Sequence, residues 1–190
     1  DIMIYGAMKA DFRKVHDLSI TLAKKMMGAE EIKLVTPTGT DITMSVSGRE
    51  IQADTGIYHN KGDFGNLPAG EVYAAPVEDS AHGTLIVETS MSMLGLLKEP
   101  ITLSIRSGRV VEIRGGADAR RLEKLLESLN DENVYQVAEI GIGTNEAARL
   151  TGVMLEDEKA LGTAHIAIGS NYTIGGRVVS KAHLDMLVQD

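Results

Sequence analysis

Five residues with metal-binding side chains carry the strongest chemical signal in this sequence. They are two glutamates, two histidines and one aspartate: Glu71, Glu139, His165, His183 and Asp185. Nitrogen and oxygen donors of these types suit zinc, cobalt, manganese or iron. Cysteine is absent, which excludes thiolate ligands, disulfides within the chain and a cysteine nucleophile. Any metal must therefore be held by imidazole and carboxylate groups.

The spacing of the histidines suits a site on extended strands. His183 and Asp185 are two residues apart in an apolar segment, so a strand would project both side chains from one face. His165 lies in Thr163–Gly169, another segment with strand character, and its small neighbour Ala167 leaves room for an ion or a substrate. These segments favour ligands on adjacent strand faces.

The two glutamates fit the same site, but each also has an ordinary structural explanation. Glu139 lies in an otherwise apolar strand, where a carboxylate is costly unless it is paired or binds a metal. Glu71 follows the rigid turn 66–70. Glu139 could instead close an ion pair with Arg114 or Arg120, Glu71 could brace its loop, and the histidines could be structural. Spacing alone leaves these alternatives open.

Other polar groups are weaker candidates. His59 and His82 flank Glu71 in a loop region and are possible additional ligands. The acidic run 156–158, followed by Lys159, is most simply a solvated helix end. The glycine-rich segment 141–145 has neither dinucleotide-binding nor P-loop spacing, and it favours a tight turn with close backbone approach near Glu139.

The elements that must position these residues predict an α+β fold, with a mixed sheet, several β-hairpins and a few flanking helices. Apolar periodicity predicts helices over Ala10–Met27, from a capping Asp118 to Leu129, and over Asn145–Leu150. Strands are expected over Ile2–Tyr5, Ile32–Thr36, Ile42–Val46, Gly83–Glu88, Ile101–Arg106, Arg109–Arg114, Val134–Ile140, Thr163–Gly169 and Leu184–Val188. The stretch 47–83 is the least regular, and long loops of this kind tend to be functional or mobile.

Several blocks of sequence around the five residues resemble the aminopeptidase T and aminopeptidase S family of metallo-aminopeptidases, in the family's order. The blocks are Thr36–Asp41, Asn66–Pro76, Ala138–Asn145, Leu155–Gly169 and Ser180–Asp185. The resemblance extends from about residue 10 to the C-terminus. It implies that Glu71, Glu139, His165, His183 and Asp185 hold two divalent ions, with zinc as the default and cobalt, manganese or iron as alternatives.

The same resemblance implies a reaction and its catalytic residues. Water activated by the ions would attack the first peptide bond, and Tyr172 would lie beside the scissile carbonyl. Either Glu71 or Glu139 would bridge the ions or transfer a proton to the leaving amine. The implied function is an aminopeptidase that releases N-terminal amino acids, in a homodimer.

Two departures from the family leave other functions open. We expect residues 1–190 to form a single metal-binding catalytic domain, as a fragment that lacks the N-terminal domain of the family. The interval from His165 to His183 is also short. The superfamily includes proteins similar to dihydroxypyridine ring-cleaving dioxygenases, which use one ferrous ion. A mononuclear iron dioxygenase and an inactive metal-binding remnant are therefore the alternative functions.

Composition limits the partners. The chain has 190 residues, 43% of them hydrophobic, and a net charge of -8 without a basic patch, so nucleic acid is not an expected partner. The sequence contains no apolar run of membrane-spanning length and no signal peptide at its start. We expect a soluble, cytoplasmic protein that acts on a peptide or a small molecule.

Overall fold

The computed structural model describes residues 2–189. Its helices are α1 (Ile2–Tyr5), α2 (Phe12–Met26), α3 (Ala117–Leu129) and α4 (Met154–Asp157), and 3₁₀ turns occupy Ala7–Lys9, Glu132–Tyr135 and Tyr172–Ile174. Its strands are β1 (Glu31–Val35), β2 (Asp41–Ser45), β3 (Gln52–Asp54), β4 (Glu71–Ala74), β5 (His82–Val87), β6 (Ser90–Met91), β7 (Gly95–Leu96), β8 (Ile101–Arg106), β9 (Arg109–Gly115), β10 (Val137–Gly143), β11 (Thr163–Gly169) and β12 (His183–Gln189). The predicted α+β class is confirmed.

The strands form two antiparallel sheets. One has five strands in the order β1-β2-β5-β8-β9, and the other has seven in the order β3-β4-β10-β11-β12-β6-β7. Both contribute to one hydrophobic core, because alternate residues of each strand point inward. Leu103 from the first sheet, Ile166 from the second and Leu122 from α3 are all fully buried there.

The two faces of the seven-stranded sheet differ in chemistry. Ile140, Ile166 and Met186 are paired across β10, β11 and β12, and they lie on the face that packs into the core. The intervening positions point to the opposite face, and these include Glu139 and Asp185, both paired with Ala167. The polar residues of the predicted site therefore lie on the side of the sheet away from the main core.

Two amphipathic helices flank the sheets. The side chain of Asp11 caps α2 by accepting a hydrogen bond from the Arg13 amide at 3.1 Å. Helix α3 begins at Ala117, one residue before the predicted cap. Asp118 does not cap the helix, because its buried carboxylate instead accepts hydrogen bonds from the Lys98 amide and from Arg121.

The stretch 47–83 is mostly irregular, as predicted, and it also contains the short strands β3 and β4. Three other sequence predictions about local structure were wrong. Ile2–Tyr5 forms a short helix rather than a strand. The strand predicted from Val134 begins at Val137 and continues to Gly143, so the expected glycine turn is a strand. The helix predicted over Asn145–Leu150 is absent from the described structure.

Non-local hydrogen bonds explain the missing helix at Asn145. Its backbone pairs with Lys159 and Leu161, and its buried side-chain amide donates to the carbonyls of Ala7 and Ala69 at 3.1 and 2.8 Å. Its side-chain oxygen also accepts a local hydrogen bond from the Ala147 amide at 2.9 Å, and such bonds compete with helical hydrogen bonding. Tertiary contacts therefore outweigh the weak local preference for a helix.

No helix in the described part of the chain combines the length and the hydropathy that a bilayer crossing requires.

Candidate metal centre

Four neighbouring strands bring the five predicted ligands together. Glu71 begins β4, Glu139 lies on β10, His165 on β11, and His183 and Asp185 on β12. Strand order places these four strands side by side, and the alternation of side chains turns the five residues toward the same face.

Each of the five side chains lies within 3.4 Å of at least one of the others. His165 Nε2 lies 3.2 Å from Glu139 Oε1 and 3.4 Å from Glu71 Oε2. His183 Nε2 lies 3.4 Å from Glu139 Oε2 and 3.2 Å from Asp185 Oδ1. The two oxygens of Glu139 therefore face different histidines.

These contacts divide the residues into two groups of three possible ligands. One group is Glu71, Glu139 and His165, the other is Glu139, His183 and Asp185, and the ligand atoms within each group lie within 4.8 Å of one another. Glu139 belongs to both groups. Neither group contains both histidines.

The donor atoms fit divalent ions. Glu71 Oε2 is buried and accepts no hydrogen bond, which is costly for a carboxylate oxygen and would be relieved by a bound cation. His183 Nδ1 lies 2.7 Å from the carbonyl oxygen of Ser170, so this nitrogen donates and Nε2 is left as the ligand atom. His165 Nδ1 is also buried, without a hydrogen-bond partner.

Room for His165 comes from a glycine on the neighbouring strand. Gly141 pairs directly with His165, and a Cβ atom at Gly141 would lie 2.1 Å from His165 Nε2. The predicted close approach near Glu139 is thus confirmed, although it involves a histidine side chain and a strand glycine rather than a turn.

Burial and charge oppose each other throughout the centre. Burial raises the pKa of Glu71 to about 7, despite the nearby charges of Lys159 and His165. Burial also disfavours ionised Asp185, but the hydrogen bond from His183 and the nearby positive charges outweigh it and lower the pKa of Asp185 to about 2. In the absence of metal, the centre therefore favours charged histidine and carboxylate pairs.

Both histidines have a raised pKa, although burial alone would lower it. Hydrogen bonding to Glu139 and the surrounding carboxylates raise the pKa of His165 to about 9, and hydrogen bonds to Asp185 and Glu139 raise that of His183 to about 11.

Sequence reasoning missed a buried lysine in this centre. Lys159 has no exposed surface, and its Nζ lies 2.6 Å from Glu71 Oε1 and 2.5 Å from Glu158 Oε1. The interpretation of 156–158 as a solvated helix end was wrong, because Glu156, Asp157 and Glu158 are also buried. A buried lysine beside adjacent carboxylates could not be distinguished from a surface charge cluster without the tertiary contacts.

The carboxylates of Glu156 and Asp157 accept hydrogen bonds from backbone amides and do not belong to either group of possible metal ligands. Glu156 Oε1 accepts hydrogen bonds from the amides of Ala7 and Arg149, at 2.8 and 3.3 Å. Asp157 accepts from the amides of Thr151 and Gly152, at 2.8 and 2.9 Å. These bonds secure the connection that carries Lys159 into the centre.

The other candidates lie elsewhere. His59 and His82 are exposed and belong to neither ligand group. Arg114 is 3.7 Å from Glu112, and Glu139 is paired with the histidines rather than with an arginine. Tyr172 lies in a 3₁₀ turn with 65% of its surface exposed, and it is not among the residues that line the cavity over the ligands.

Two adjoining cavities give access to the centre. The first, of about 260 Å³, is lined by Asn66, Glu71, Tyr73, Glu139, Glu158, Ser170, Thr173, Ile174, His183 and Asp185. The second, of about 360 Å³, extends over β3 and shares Asn66, Glu71 and Tyr73 with the first. A ligand could therefore contact the proposed metal ligands and continue along the sheet.

Fold and site together define a class of α+β protein in which clustered histidines and carboxylates lie on one sheet face. The sequence matches the profile of the family described as NicX, 2,5-dihydroxypyridine 5,6-dioxygenase, over residues 13–190. The chain belongs to this family.

Individual relatives include two kinds of enzyme. The chain is 27% identical to a 2,5-dihydroxypyridine 5,6-dioxygenase of Pseudomonas putida, over 83% of this chain and 49% of that protein. It is 28% identical to aminopeptidase AmpS of Bacillus subtilis, over 77% of this chain and 37% of that protein. The predicted relationship to aminopeptidases is thus confirmed, but the family profile is named for the dioxygenase.

Solved structures show the same two relationships. The structure of the dioxygenase from P. putida matches with a TM-score of 0.86 and 25% identity, covering 96% of this chain and 56% of that one. AmpT from Thermus thermophilus matches with a TM-score of 0.69 and 23% identity, covering 92% and 47%, and indicates a shared fold. The chain spans about half the length of these proteins, or less.

The pKa values of the histidines predict how pH affects the metal-free protein. Charged His165 and His183 stabilise the fold fully below their ordinary pKa of 6.5, and this contribution is lost as the pH rises through the folded values of about 9 and about 11. We expect the free energy of unfolding, measured with urea and a chelator, to decrease from pH 7.5 to pH 10. A His82→Gln control should show the same decrease, and a flat or rising profile in the unsubstituted protein would contradict the ion-pair interpretation.

Proposed function

We propose that this chain carries the centre of a two-metal hydrolase, of the type that releases N-terminal amino acids from peptides. The arrangement of Glu139 is the observation that supports this most strongly. Its Oε1 faces His165 and its Oε2 faces His183, as a carboxylate shared between two ions would. Two-metal sites are common in aminopeptidases and other hydrolases.

The separation of the histidines also favours two ions over one. Mononuclear iron oxygenases commonly use two histidines and one carboxylate on one face of a single ion. Here His165 and His183 belong to different groups, each completed by carboxylates. Glu71, Glu139 and His165 would hold one ion, and Glu139, His183 and Asp185 the other.

The side chains of Glu139 and Glu71 would hold the ions, and the cavity over β3 would receive the substrate. When bound, divalent ions supply Lewis acidity and lower the pKa of water toward neutrality. Glu139, as the shared carboxylate, would keep the two ligand groups together, and Glu71 would complete one of them. The cavity over β3 provides space for the part of a peptide beyond its first residue.

Ring-cleaving dioxygenase activity is the second candidate function. It is supported by the family profile and by the structural similarity to the P. putida dioxygenase over 96% of this chain. In this case a single ferrous ion would occupy the centre, and the polar cavity of about 260 Å³ would receive a dihydroxylated ring.

Metal content and reaction type distinguish the two candidates. The two-metal hydrolase should retain about two equivalents of zinc, cobalt or manganese and release the reporter group from aminoacyl anilides. Elemental analysis and a colorimetric assay measure these properties. Retention of a single iron, with oxygen consumed in the presence of 2,5-dihydroxypyridine, would instead establish the dioxygenase function and reject the hydrolase.

Removing one histidine should empty one ligand group and spare the other. His183→Ala leaves Glu71, Glu139 and His165 in place, so we expect metal content to fall by about one equivalent. His82→Ala is the matched control, since His82 is exposed and belongs to neither group, and should retain the full metal content. Unchanged metal content in His183→Ala would contradict the proposed ligand set.

Tyr172 is proposed to stabilise the oxyanion of the hydrolytic reaction. Because Tyr172 is 65% exposed and does not line the cavity, this role requires the turn that carries it to move toward the cavity when substrate binds. We expect Tyr172→Phe to retain its metal and to lose roughly 10²–10³ in kcat, as other enzymes do on loss of an oxyanion donor. Tyr5→Phe, at a similarly exposed tyrosine, should keep full activity, and full activity in Tyr172→Phe would rule out the role.

A further inference from the structure

Lys159 is the only lysine in the described residues 2–189 that is fully buried, and it enters the proposed metal centre. Its Nζ lies 2.6 Å from Glu71 Oε1 and 2.5 Å from Glu158 Oε1. A buried ammonium is costly unless it is paired and hydrogen-bonded. These two carboxylates supply the necessary partners.

The backbone around Lys159 is held tightly against the sheet. The amide of Asn145 donates to the carbonyl of Lys159 at 2.8 Å, and the amide of Lys159 donates to the carbonyl of Glu156 at 3.0 Å. On β10, a Cβ atom at Gly143 would lie 2.0 Å from the carbonyl oxygen of Ala160. The lysine side chain therefore starts from a fixed point, which limits the positions its ammonium can reach.

The two carboxylate oxygens of Glu71 have different surroundings because one of them contacts Lys159. Oε1 is taken by the ammonium, whereas Oε2 faces His165 Nε2 at 3.4 Å and accepts no hydrogen bond. With one oxygen held by the lysine, the carboxylate has one oxygen left for an ion. The orientation of this carboxylate depends on Lys159, since no other side-chain hydrogen bond to Glu71 is found within the described structure.

We propose that Lys159 is a positioning residue of the metal centre. Its ammonium holds Glu71 Oε1 so that Oε2 is presented to the ion shared with Glu139 and His165. This proposal rests on the two-ion centre proposed above. It assigns Lys159 no contact with the ion and no chemical step.

A charge effect and a positioning effect predict opposite results for a lysine substitution. Lys159→Met removes a positive charge, which by Coulomb attraction alone would strengthen cation binding. If the lysine positions Glu71, the same substitution releases the carboxylate and weakens binding. Loss of groups that orient metal ligands typically reduces metal affinity by about 10–100-fold.

The test is a titration of the metal-free 190-residue chain with Co²⁺, followed by visible absorption and by elemental analysis. Positioning predicts that Lys159→Met weakens one of the two ions about 10–100-fold and leaves the other within about threefold. Lys14→Met is the matched control, because the Lys14 side chain is 71% exposed, and should leave both affinities unchanged. Tighter or unchanged binding of both ions in Lys159→Met would overturn the proposal.

A double-mutant cycle shows whether the effect acts through Glu71. We expect the variant carrying both Lys159→Met and Glu71→Gln to bind Co²⁺ no more weakly than Glu71→Gln alone, because the group that the lysine orients is already altered. Independent, additive losses would overturn the proposal. The double variant leaves only Glu158 without its positive partner, whereas Lys159→Met leaves both Glu71 and Glu158 unpaired, so it provides a test if Lys159→Met alone fails to fold.

The role of Lys159 is tested by metal affinity, and the proposed reaction is tested by peptidase activity, so the two can fail independently. If no peptidase activity is found, the hydrolase proposal fails, while the Co²⁺ titrations still determine the role of Lys159. If the unsubstituted chain binds one ion, the two-ion centre fails. The positioning role then holds only if that ion weakens in Lys159→Met and the loss is coupled to Glu71.

Discussion

The centre depends on one electrostatic constraint, which is that buried carboxylates must have positive partners. Three buried carboxylates and one half-buried carboxylate line the same small cavity: Glu71, Glu139 and Glu158 are buried, and Asp185 is half-buried. In an interior of low polarity, unpaired carboxylates repel one another and are costly to bury. His165, His183 and Lys159 supply the partners within the chain. Divalent ions would neutralise the carboxylates in the same way, and they would also supply Lewis acidity.

The sheet meets this constraint by keeping its two faces chemically distinct. Along β10, Ile140 points to the hydrophobic core, while Glu139 points to the opposite face. Gly141 continues the polar face without a side chain, and His165 occupies the space that a Cβ atom would fill. An otherwise apolar strand can therefore carry a buried carboxylate, because the core and the centre lie on opposite sides of it.

Family membership indicates the fold and the kinds of related enzyme, whereas the site geometry indicates how many ions the centre could hold. The NicX profile extends over nearly the whole chain, and the P. putida dioxygenase shares its fold at a TM-score of 0.86. The aminopeptidase relatives show that similar sequences also occur in proteins named for peptide hydrolysis. Chemistry on such a scaffold depends on the number of ions held, and the place of Glu139 in both groups of possible ligands is the basis for proposing two.

Sequence reasoning succeeded where a pattern was local or a residue type was chemically unusual. Helix α2 and the hairpin strands followed from periodicity, and His183 and Asp185 could be placed on one strand face from their spacing. A carboxylate in the apolar strand at Glu139 also pointed correctly to a compensated site. These inferences need only the geometry of a single element.

Contacts between distant segments decided the rest. Strand β4 is only four residues long and forms by pairing with β3 and β10. Its local sequence was therefore too short to predict a strand. Lys159 resembled a surface charge, because its partner Glu71 is 88 residues away in the chain. The sequence by itself determined which donor atoms were available. The tertiary structure decided how they were grouped, because burial and the sharing of Glu139 arise only when separate strands pack together.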